Sequence, residues 1–197
     1  MRAIDCFERF SHLLAEFTAT DFVGNCLGMN EAVEQMIDLM RKAIAQGRKL
    51  LFIGNGGSAS IASHQAMDYW KSAGLRALAF NDGSLLTCIS NDYGYPHVFE
   101  KPVQMFAEPG DVLVAISSSG RSPSILNGVK AGRQRNCAVI TLSGFSSEND
   151  LRRLGDINFY VPSDNYGHVE IAHLTILHCA LDIILNQTAE FPPHISR

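Results

Sequence analysis

No two cysteines in this chain are spaced as C-x-x-C, and their number, five, is odd (Cys6, Cys26, Cys88, Cys137, Cys179). That argues against a disulfide frame or a structural zinc site; the thiols read as reduced, as in a cytoplasmic protein. Lysines and arginines never run beyond two in a row and the net charge is −4, so the footprint of a nucleic-acid or anionic-membrane binder is missing. No charged-then-apolar leader opens the sequence, and no uninterrupted apolar run reaches about 18 residues, which speaks against secretion and membrane spanning. There is no Walker lysine, and Ala59 stands where G-x-G-x-x-G needs its third glycine, so nucleotide signatures are weak. Internal repeats, low-complexity tracts and linkers are absent as well. What remains is a chain of 197 residues, 46% apolar, sufficient to bury a full core as a single domain over 1–197.

The order of its elements is legible from periodicity. Ile4, Phe7, Phe10, Leu13, Leu14 and Phe17 recur at helical spacing and predict an amphipathic helix over 2–23. Val33, Met36, Ile37, Met40 and Ile44 predict a second helix over 29–46, with Asn30 as its N-cap and Gly47 as its stop. Two helices ahead of the first strand exceed what one sheet face needs, so the segment 1–47 is assigned to self-association. From Leu50 onward, strands (50–53, 76–80, 111–116, 137–142, 157–161) alternate with helices (58–72, 84–91, 122–134, 147–153, 167–187). This predicts an α/β core over 48–188, a three-layer sandwich with a central parallel five-stranded sheet. The tail, 189–197, is broken by Pro192 and Pro193 and is expected to drape over the surface.

Three stretches carry chemistry. Leu50 to Ile53 runs into Gly54-Asn55-Gly56-Gly57-Ser58 and then a helix. A strand, glycine-rich turn and helix offer free amides and a positive dipole end to an anion, although such turns also serve only to close a βα connection. After the strand 111–116 come Ser117, Ser118, Ser119, Gly120 and Ser122 at a helix start. Hydroxyls and amides there form a neutral donor cradle for phosphate; Ser122 as an N-cap with Pro123 at the first position accounts for only one of those serines. His64 and Asp68 lie four apart on the helix 58–72, about 40° apart in projection, and fit a metal site, an acid/base pair or a plain surface pair. The apolar helix 167–187 holds Glu170, His173 and His178. Ionisable groups on so apolar a helix need partners or a role. Glu170 and His178 stand ~12 Å apart along its axis, so they meet one ligand only by leaning together, or else face sites in different subunits.

Taken together, GNGGSASIASHQAMD (54–68), ISNDYGY (89–95), PGDVLVAISSSGRSPSIL (109–126), VITLSG (139–144) and HVEIAHLTILH (168–178) resemble the sugar isomerase (SIS) domain family. Within it they are similar to the phosphoheptose isomerase branch, over about residues 32–185. The resemblance implies a three-layer α/β fold, a homotetramer with active sites between subunits, one zinc per subunit and a phosphorylated sugar as substrate. It implies substrate contacts at Asn55, Gly56, Gly57, Ser58, Asn91, Asp92 and Glu170, and phosphate contacts at Ser117, Ser118, Ser119 and Ser122. Metal ligands fall on His64, Asp68, Glu170 and His178, and His178 is also a catalytic position.

The chain departs from the family at two of those positions: Asp68 stands where the family has Glu, and Glu170 where it has Gln. Two histidines and two carboxylates make a harder ligand set, still suited to zinc. Aldose–ketose isomerisation through an enediol needs a base for a carbon-bound proton and a shuttle to oxygen. Asp68 and His178 are assigned as that pair, with sedoheptulose 7-phosphate as the expected substrate, in the cytoplasm, for bacterial surface-polysaccharide precursors. The alternative is a non-catalytic SIS sugar-phosphate-binding tetramer of the kind that associates with the replication initiator. Such relatives lack the acid/base residues, which this chain keeps at 68 and 178.

Overall fold

A computed structural model describes residues 2–188; the expected surface tail over 189–197 lies outside the described residues. The chain runs α1 (Ala3–Ala15), β1 (Thr18–Asp21), β2 (Cys26–Leu27), α2 (Met29–Ala45), β3 (Leu50–Gly54), α3 (Gly57–Ala73), β4 (Ala77–Ala79) and α4 (Gly83–Tyr93). It continues through α5 (Glu100–Phe106), β5 (Val112–Ser117), α6 (Pro123–Gln134), β6 (Ala138–Ser143), β7 (Ile157–Tyr160) and α7 (Tyr166–Thr188). All these strands join one sheet in the order β2-β1-β7-β6-β5-β3-β4.

The five parallel strands expected from the sequence are β3 to β7, and the sheet is larger than that by two. β1 pairs antiparallel with β7, from Thr18 opposite Tyr160 to Asp21 opposite Ile157, and β2 pairs antiparallel with β1. The first helix therefore stops at Ala15 and does not reach residue 23. Thr18 and Thr20 favour extended backbone, and the Asp21 carboxylate accepts from Val23 and Asn25 N–H to close a hairpin. Gly28, one residue before the helix α2, takes the N-cap position expected for Asn30. The helix expected over 147–153 is only a 3-10 turn at Asp150–Arg153, held by Asn149 accepting from Arg152 N–H. The short helix α5 went unforeseen because Pro102 interrupts its pattern; in the first turn a proline breaks no hydrogen bond.

Both sheet faces are covered. Leu50 and Phe52 of β3 pack towards Met36, Met40, Tyr69 and Leu177, while Leu51 and Ile53 pack towards Ile89, Val103, Ile125 and Val129. A strand buried on both sides is apolar throughout, which is why β3 reads as an unbroken run. By length and composition α7 could cross a membrane, yet Ile176, Leu177, Ala180, Leu181 and Ile184 are buried in the same cluster as α2, α3 and the sheet.

The topology locates the site. β3 and β5 lie side by side and parallel, with Gly54 opposite Ile116. The chain leaves β3 outward to β4 and later returns to β5 on the other side. This is a topological switch point, where the loops at the carboxyl ends of the two strands diverge and leave a crevice.

Candidate active site

The two loops flanking that crevice are the glycine-rich turn after β3 and the serine loop after β5. In the serine loop, Gly120 N–H donates to the carbonyl (3.1 Å) and hydroxyl (3.2 Å) of Ser117, with Gly120 at φ +61°. Ser119 Oγ accepts from Arg121 N–H at 3.3 Å. The segment after β6 fixes the loop from behind. Gly144 N–H donates to the Ser118 carbonyl and Leu151 N–H to the Gly120 carbonyl, each at 3.0 Å. The buried Asn149 donates to Ser143 Oγ and to the carbonyls of Gly144 and Ser146, and lies so close under Gly120 that a Cβ there would meet Asn149 Oδ1 at 2.0 Å. The Ser118 hydroxyl is buried and has no hydrogen-bond partner among the described residues. A buried donor left open beside a helix start suits an anion's oxygen.

Ser122 stands at the N-cap position of α6 with Pro123 next, as expected, but its side chain makes no cap bond. It faces Asn55. The Asn55 amide nitrogen donates to Ser122 Oγ and Ser124 Oγ, both at 2.9 Å, and its carbonyl accepts from the Tyr95 hydroxyl at 2.7 Å. The expected sugar-binding Asn55 is thus a brace between the two loops. Neither Ser124 nor Tyr95 stands out in the sequence. Ser124 sits one residue beyond the conspicuous Pro123, and Tyr95 follows the NDYG stretch whose Asn91 and Asp92 drew the assignment. Asn91 and Asp92 are exposed near the end of α4, where Asn91 donates to Asp92 at 2.9 Å.

The second half of the site is made by helices. Packing of α3 against α7 brings one ligand atom each of His64, Asp68 and His178 within 4.8 Å of one another. His64 Nε2 is 3.1 Å from Asp68 Oδ2, and the His64 and His178 rings lie 5.3 Å apart at a 61° angle. The shorter Asp68 still reaches His64. Two imidazoles and a carboxylate this close form a three-ligand set of the kind that holds zinc while leaving a position open. Glu170 does not join that group. Its carboxylate lies against the glycine-rich turn, where a Cβ on Gly57 would be 2.3 Å from it, so a larger residue at 57 would displace the Glu170 carboxylate. Ser58 is buried in the first turn of α3, and Gly56 precedes that helix at φ +55°.

His173 is wholly buried between the two halves, its Nε2 donating to the Ser143 carbonyl at 3.1 Å. Burial drives its pKa down to about 4, so it is neutral and ties α7 to β6.

The SIS domain family model matches residues 27–144. The phosphoheptose isomerase of Solidesulfovibrio magneticus is 40% identical over 160 residues, covering 78% of each protein. That of Thiobacillus denitrificans is 39% identical, covering 77% of this chain and 81% of its own length. Among solved structures, a phosphoheptose isomerase from Francisella tularensis superposes with a TM-score of 0.80 at 30% identity, over 95% of this chain and all of that one. The phosphoheptose isomerase of Neisseria gonorrhoeae gives 0.74 at 36% identity, over 78% and 86%. With this similarity spanning most of the chain, it belongs to the SIS domain family, in its phosphoheptose isomerase branch.

Proposed function

We propose that the protein isomerises a phosphorylated ketose to an aldose through an enediol, with sedoheptulose 7-phosphate as substrate and a heptose 7-phosphate as product. The observations that carry this reading are the convergence of His64, Asp68 and His178 where α3 packs on α7, and the open Ser118 donor in the serine loop at the switch point. A phosphate at Ser117 to Ser122 anchors the sugar away from the reacting carbons, so its binding energy serves to position them. The hydroxyls of the sugar lie along Asn55 to Ser58 and Glu170. Asp68 and His178 exchange protons with C1, C2 and their oxygens. A divalent cation, zinc by the donor set, would be held by His64, Asp68 and His178 and would supply charge stabilisation for the enediolate. A group whose lone pair is engaged by a cation is a poorer base, so the ligand and proton-transfer roles of Asp68 and His178 compete.

The protein is further read as a cytoplasmic homotetramer with the active sites between subunits, working in the supply of bacterial surface-polysaccharide precursors. Exposed Ile4, Phe7 and Leu14 on α1 support self-association through the N-terminal segment. The test is direct. Purified protein with zinc and sedoheptulose 7-phosphate yields an aldose phosphate; absence of turnover, with sugar phosphate still bound, favours the non-catalytic binding protein.

A further inference from the structure

We propose that Tyr95 is a positioning residue that sets the direction of the hydroxyl protons at the phosphate loop, acting through Asn55. The inference rests on the reading of Ser117 to Ser122 as the phosphate site. A carboxamide has two N–H donors and one carbonyl, and turning it over reverses every bond it makes. Here the Tyr95 hydroxyl is 2.7 Å from the Asn55 carbonyl oxygen and donates to it. Both amide protons then point at serine oxygens, Ser122 and Ser124, at 2.9 Å each.

The consequence follows from proton counting. Each serine hydroxyl owns one proton. Ser124 is buried, and among the described residues Ser122 Oγ, 3.1 Å away, is the only acceptor its proton meets. Ser122 therefore accepts from both Asn55 and Ser124, and its own proton is left to point out of the brace. A phosphate oxygen only accepts, so an outward-pointing Ser122 proton makes that position a donor, in keeping with the unpartnered Ser118 hydroxyl in the same loop. With the carboxamide reversed, both serine protons would turn inward to the Asn55 carbonyl, and Ser122 would face the anion with a lone pair. Tyr95 thereby favours the arrangement that binds an anion. Its side chain is half exposed, on a 3-10 turn (Tyr95–His97) tied to α6 by Asn127 donating to the Pro96 carbonyl. Removing one oxygen from it leaves the packing intact.

The experiment compares wild type, Tyr95→Phe and Ser122→Ala by calorimetric titration with inorganic phosphate, alongside steady-state kinetics with sedoheptulose 7-phosphate. Tyr95→Phe is expected to weaken phosphate binding and raise KM by about 3- to 10-fold, the worth of one hydrogen bond, with kcat and the melting temperature unchanged. Phosphate affinity equal to wild type in Tyr95→Phe overturns the inference and leaves the phosphate site standing. A fall in kcat at unchanged phosphate affinity also overturns it, since it moves Tyr95 from positioning to chemistry. If wild type does not bind phosphate, or Ser122→Ala binds it equally well, the phosphate reading fails and this inference fails with it.

Discussion

The serine loop and the histidine cluster are built on different principles. The serine loop is fixed by backbone hydrogen bonds, by Asn149 beneath Gly120 and by the Asn55 brace, so its donors are in place before any ligand arrives. The His64, Asp68 and His178 cluster is made of partly exposed side chains on two helices, joined by the His64–Asp68 contact and the edge-on His64–His178 rings. An anion is thus met by a preorganised frame, where little ordering entropy remains to be lost. The cluster keeps side-chain freedom, which suits the proton transfers between two carbons and two oxygens proposed for it. On the proposed reading, the rigid part meets the phosphate and the adjustable part the chemistry.

Four measurements break or sharpen it. At the reacting end, Asp68→Asn or His178→Gln should lower kcat/KM by about 100-fold or more without shifting the melting curve; full activity in both variants would remove the assigned pair. At the rigid end, Gly120→Ala forces a side chain into a left-handed backbone against Asn149 and should cost about 1–3 kcal/mol of stability by chemical denaturation. A variant as stable as wild type would show that the loop is not locked from behind.

His173 tests how α7 is held between the two ends. Its folded pKa, lowered to about 4, lies below the unfolded value, so the unfolded state binds more protons between the two. Stability is then complete above pH ~6.5 and declines as pH falls towards 4, by about 2 kcal/mol at pH 5. Denaturation midpoints across that range should flatten in His173→Gln, and an unchanged slope would refute the assignment. The smallest effect is expected at Ser118. Ser118→Ala deletes one buried donor and should raise KM about fivefold with kcat unchanged; an unchanged KM would mean the open hydroxyl does not face the phosphate.

Much of the architecture and part of the site are legible in the residues alone. The apolar run Leu50–Ile53 had to be a doubly buried strand because no amphipathic alternation interrupts it. The serine cluster announces its loop because four hydroxyls around one glycine exceed what a helix cap needs. The hairpin β1–β2 escapes a periodicity search because its strands are only four and two residues long, and they follow a helical pattern without a break. Glu170 falls among the metal ligands by resemblance, whereas its carboxylate packs on Gly57, a contact between residues more than a hundred positions apart. Tyr95 lies at the edge of the ISNDYGY stretch and Asn149 in a connecting segment, and neither has a periodicity or spacing that marks its role.

The sequence by itself determined the layered α/β architecture, the glycine and serine loops and the residue types available for chemistry, because strand burial, turn chemistry and helix caps are local. The tertiary structure alone decided which of those residues meet. Pairing β3 with β5 set the glycine turn beside the serines, and packing α3 against α7 brought His64 and Asp68 to His178. Those contacts depend on long-range register and helix packing, which fix a side chain's neighbours only once the whole core has closed around them.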